Sequence, residues 1–125
     1  MTELKSLTLM LAILLISGCA GEGGSSTQSE GKLKVIVTTY FLEDFTKFVG
    51  GDKVAVESLL PDGANPHVFE PSPSDGRKAH GASVFIYNGL GLEPYAEQLA
   101  RSLPENVVVI EASKGTTLIE SDDKD

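Results

Sequence analysis

An α/β fold, a parallel sheet with helices on both faces, is predicted for this chain by three observations. Short β-branched apolar runs recur along it, segments of helical period separate those runs, and glycine or proline punctuates the junctions. An alternation of strand and helix implies right-handed crossovers, and crossovers of that kind make neighbouring strands parallel.

Each element can be justified in order. Leu33 to Thr39 is mostly apolar and β-branched without alternating polarity, as expected of a strand buried on both faces. Phe41, Phe45, Phe48 and Val49 then recur at helical spacing, and Gly50-Gly51 supplies a stop. Lys53 to Leu60 reads as a second strand, with Val54, Val56 and Ser58 alternating with more variable partners, closed by Pro61-Asp62-Gly63. Ser72-Pro73-Ser74-Asp75 offers a cap, a proline at the first helical position and an acid three residues after the cap, so a short helix starts there and ends near Gly81. Ser83 to Tyr87 is a third strand. Pro94 opens a third helix with Tyr95, Leu99 and Leu103 along one face, and Val107 to Ile110 is a fourth strand. Ligands of such sheets bind beyond the carboxyl ends of the strands, which directs attention to the turns after each strand.

The first thirty residues read differently. Leu7 to Ile16 is an apolar run behind a polar start with Lys5, followed by Ser17 and Gly18, which is the shape of a secretory signal peptide over residues 1–18. The run is short of the roughly 20 residues that span a bilayer. Leu15-Ile16-Ser17-Gly18-Cys19 resembles the lipobox of prokaryotic lipoproteins, which implies that Cys19 is acylated and becomes the first residue of the mature chain. Cys19 is the only cysteine, so no disulfide forms within the chain. Residues 19–31 are rich in Gly and Ser, a flexible tether, and the folded unit is expected over residues 32–125. Removing residues 1–18 takes away Glu3 and Lys5 together and leaves the net charge at −8. That sign repels phosphate backbones and anionic headgroups, so nucleic acid is not an expected partner and membrane attachment falls to the lipid.

His67 is the residue of greatest chemical interest. It follows the second strand, at the productive edge of the sheet, and Pro66 beside it stiffens the backbone. Neutral imidazole is the commonest side-chain metal ligand, yet one histidine is not a zinc site, and on residue type alone it can equally cap a carbonyl or face solvent. Glu70 reads either as a partner that orients the histidine or as a solvated carboxylate. Tyr40, after the first strand, reads as a cleft residue or as core. His80 sits at a helix end, where the dipole favours a cation, and Asp122, Asp123 and Asp125 read as a solvated acidic tail.

The segment Leu59 to Asp75, with its order Leu-Leu-Pro-x-Gly-Ala-x-Pro-His-x-x-Glu-Pro-x-Pro-x-Asp, resembles the first metal-ligand segment of the zinc- and manganese-binding proteins of ABC importers. Val37-Thr38-Thr39 with Phe45, the turn Val49-Gly50-Gly51-Asp52-Lys53-Val54, and Tyr87-Asn88-Gly89-Leu90-Gly91-Leu92-Glu93-Pro94 are similar to that family in the same order. The resemblance implies one lobe of a two-lobe, helix-hinged solute-binding protein, with a divalent metal held between the lobes by four side chains and handed to a membrane permease. It makes His67 the first of the four. The later three, a second histidine, a histidine or glutamate, and an aspartate, fall beyond residue 125, so residues 32–125 are expected to be the N-terminal lobe without its partner lobe. Zinc is the first expectation for the ion and manganese the second.

Other function classes fit less well. Gly89-Leu90-Gly91 lies between a strand and a helix, but the dinucleotide fingerprint needs a third glycine where this chain has Pro94, and it belongs after the first strand. Neither a Gly-x-Ser-x-Gly elbow nor a His-Glu-x-x-His pair occurs, so no enzyme is expected. A surface lipoprotein of adhesin type, without tight metal binding, is the alternative.

Overall fold

The computed structural model describes residues 31–119. The signal segment, Cys19, most of the tether and the acidic tail lie outside the described residues. Four parallel strands, β1 (Leu33–Val37), β2 (Val54–Ser58), β3 (Val84–Tyr87) and β4 (Val108–Glu111), form one sheet in the order β2-β1-β3-β4. Three helices connect them: α1 (Tyr40–Gly50), α2 (Pro73–His80) and α3 (Pro94–Ser102). No helix among the described residues is long and apolar enough to cross a membrane.

Burial explains the choice of central strand. Val35, Ile36 and Val37 are all buried, so β1 has core on both sides and reads as a continuous apolar run. On one face Ile36 and Phe85 pack with Leu59, Ala79, Ala82 and Val107, and the apolar side of α3, through Tyr95 and Leu99, closes over them together with Leu103 just past its end. Fully burying Phe85 alone contributes roughly 1.5–3 kcal/mol. On the other face Val35 and Val37 meet Leu42 of α1, with Val54, Val56, Val84 and Ile86 around them.

The helix ends follow local chemistry. Ser72 Oγ accepts from the Asp75 N–H while the Asp75 carboxylate accepts the Ser72 N–H at 2.9 Å, the reciprocal cap that the sequence predicts. Gly51, at φ 54°, caps α1 and donates its N–H to the Lys47 carbonyl, and a single 3₁₀ turn over Gly51–Lys53 leads into β2. A side chain at Gly50 would overlap the Val54 methyls, so the glycine pair serves both the turn and the close return of the chain.

Helical periodicity in α1 identifies the helix and not its covered side. Phe45, Phe48 and Val49 are 66%, 90% and 86% exposed, and only Leu42 of this helix is buried. An open apolar groove therefore runs between α1 and the sheet, lined by Leu33, Val35, Phe45, Val49, Val84 and Ile86. Beyond it Val108 and Ile110, whose register partners are Val84 and Ile86, are also exposed.

Candidate metal centre

The chain leaves β1 toward β2 on one side and places β3 and β4 on the other, so the crossover direction reverses between β1 and β3. The crevice at the carboxyl ends of those two strands is where open α/β sheets bind ligands. Among the described residues the three buried polar side chains, Thr38, Thr39 and Glu93, all lie at this rim. The predicted first strand ran through Thr39. In the structure it ends at Val37, and the two threonines form the turn into α1.

The His67 loop is rooted beside them. The Leu59 and Leu60 N–H groups donate to the Val37 and Thr38 carbonyls at 2.9 and 3.3 Å, and both leucine side chains are buried, which fastens the start of the loop to the end of β1. Further along, Asn65 Oδ1 accepts the His67 N–H at 2.9 Å and the Asn65 carbonyl accepts the Val68 N–H at 3.3 Å, a side-chain-assisted turn that presents the imidazole outward. His67 and Glu70 are both exposed, and both line an open depression of about 310 Å³ whose other wall is Pro94, Tyr95 and Gln98 of α3. The Phe69 ring meets the Tyr95 ring edge to face, with centroids 5.4 Å apart. Burial pushes the Tyr95 phenol well above its ordinary range, and the Glu93 and Asp75 carboxylates add to the effect.

The structure thus brings His67 and Glu70 together. Tyr40 lies elsewhere: it begins α1, is 55% exposed, packs edge to face on Phe41 and does not line the His67 depression. His80 is the exposed last residue of α2. Cys19 lies outside the described residues. Among the described residues no group of three or more His, Cys, Asp or Glu side chains converges. One imidazole and one nearby carboxylate are fewer than the four ligands a closed zinc site takes.

Glu93 is a rim residue that stands in one of the family-like motifs and to which the sequence alone assigns no role. Its carboxylate is 2% exposed, accepts the Thr38 hydroxyl and accepts the Asn88 N–H at 2.6 Å. Its second oxygen and the buried Tyr95 hydroxyl have no hydrogen-bond partner among the described protein groups. The loop it closes contains three consecutive residues with positive φ, Gly89 (88°), Leu90 (55°) and Gly91 (75°). At Gly89 an added Cβ would press on Glu111 and Ser113, so glycine is needed there for space as well as conformation. An acid immediately before the helix-opening Pro94 is the signal that could have marked Glu93.

Comparison with known proteins agrees with the α/β fold. The lipoprotein FimA of Streptococcus parasanguinis, a metal ABC transporter substrate-binding protein, is 36% identical over 111 residues, which are 89% of this chain and 36% of FimA. The manganese ABC transporter substrate-binding lipoprotein PsaA of Streptococcus pneumoniae is 38% identical over 100 residues, 80% of this chain and 32% of PsaA. The zinc-bound ZnuA-like domain of Streptococcus pneumoniae AdcA superposes with a TM-score of 0.66 at 34% identity, over 71% of this chain and 34% of that one. The chain therefore spans about a third of the length of the curated relatives it matches. The profile of one family matches residues 35–125, and by that match the chain belongs to the family of the zinc-uptake complex component A, periplasmic (ZnuA).

Proposed function

We propose that this chain supplies the N-terminal lobe of an exported, lipid-anchored receptor that captures a divalent metal ion outside the cytoplasmic membrane and delivers it to an ABC permease. The observation that carries this reading is that His67, held by the Asn65 turn in the loop that follows β2, shares an open depression with Glu70 against the start of α3. The imidazole donates one ring nitrogen to the ion, and Glu70, in the same depression, orients the ring or its water. A second lobe brings the remaining ligands and closes on the ion, and the closed form docks on the permease. The role is capture and transfer, with no bond of a substrate made or broken. Zinc is the first choice of ion and manganese the second: relatives are named for each, and imidazole suits several divalent metals.

Calorimetric titration of Zn²⁺ into the chain tests the ligand assignment. A single imidazole gives weak binding, well short of a four-ligand site, and His67→Ala abolishes the heat while Glu70→Gln weakens it about tenfold. Unchanged binding in His67→Ala would remove His67 from the site.

A further inference from the structure

We propose that Glu93 is a positioning residue for the His67 loop, a clasp at the crossover reversal that fixes the wall against which that loop rests. Glu93 occupies the N-cap position of α3, yet its side chain does not cap that helix. It turns back instead, accepting the Asn88 N–H across the loop and the Thr38 hydroxyl from the end of β1. One carboxylate therefore joins three segments: the end of β1, the start of the β3–α3 loop and the first turn of α3.

Retaining a buried carboxylate, with one oxygen unpartnered, is costly for a loop that merely needs to turn. The cost is understandable if the carboxylate holds α3 in place relative to β1. Pro94 and Tyr95 follow Glu93 directly and form the wall of the His67 depression, and Tyr95 packs on Phe69, two residues beyond His67. The root of the same loop is tied to β1 through Leu59 and Leu60. Both ends of the loop's support thus converge on the Thr38 region, one through the backbone and the other through Glu93. Two hydrogen bonds to one buried acceptor fix its position more firmly than either would alone, so the clasp suits a junction that must stay rigid while a ligand binds.

The inference rests on the metal-capture reading for its purpose, while its test does not need metal. Millisecond amide hydrogen exchange is measured on the full chain and on Glu93→Ala, Glu93→Gln and Thr38→Val. Glu93→Ala is expected to speed exchange about tenfold in residues 88–92 and in residues 65–70, while β1 and α2 keep their protection. Glu93→Gln, whose amide oxygen still accepts both bonds, restores the loop to within about twofold of the parent. Thr38→Val, which removes one donor and keeps the shape, gives the same pattern about threefold weaker and serves if Glu93→Ala fails to fold. Exchange that rises in 88–92 alone, or uniformly across the chain in all three variants, overturns the proposal. Repeating the measurement with added Zn²⁺ separates the two readings: no zinc protection at 65–70 in the parent counts against metal capture and leaves the clasp standing.

Discussion

Asp75 is held ionised by its neighbours against the pull of its own partial burial. Desolvation raises its pKa, but the Ser72 hydroxyl and N–H and the Lys78 ammonium outweigh that effect, and the group ends below the ordinary 3.8. A carboxylate with a depressed folded pKa contributes stability that is complete above the unfolded value and is lost as pH falls through the folded one. Ser72→Ala should therefore cost about 1 kcal/mol at pH 7. Asp75→Asn should lower the urea midpoint at pH 7 and flatten its decline between pH 4 and the acid limit, a comparison that equilibrium unfolding at the two ends reads directly. This cap was legible in the sequence because its partners stand three residues apart. The partners of Glu93 were not, because Thr38 is 55 positions away and only the folded sheet brings the two together. His67 stood out through its proline-stiffened loop, whereas the wall behind it, Pro94 and Tyr95, belongs to another element.

At the scale of elements, all four strands and three helices were readable, with ends shifted by one or two residues. The sides that the helices cover were less readable. The stripe of α3 faces the core as its spacing suggests, while that of α1 is largely in water, since periodicity reports that a helix has an apolar side and not what lies opposite. Contiguous apolar surface of this kind in contact with water favours association. The chain should elute above its monomer mass and bind a hydrophobic dye. Replacing Phe48 and Val49 together by lysine should reduce both signals while changing stability by less than about 0.5 kcal/mol per site. A cooperative, dye-silent monomer in light scattering and thermal melting would contradict this.

The chain spans about a third of its relatives' length and carries its candidate ligand on one rim of one sheet. Attachment at the opposite end of the sequence is the remaining whole-chain expectation. If Cys19 is acylated, the chain produced in a bacterium takes up labelled palmitate and fractionates with membranes, and Cys19→Ala abolishes the label and releases the protein; equal labelling in both would place the anchor elsewhere. Chain order in the sheet has a further consequence. The first strand made is an interior one, and its two neighbours pair with it only later: Val35 meets Val56 on one side and Val84 on the other. A chain emerging from a ribosome or a translocation pore amino end first has no flanking partner for β1 until β2 follows, and its second flank stays bare until β3 appears. Pairing on both flanks of β1 is thereby deferred until Val84 has emerged, so the sheet is completed late in synthesis rather than strand by strand from the first.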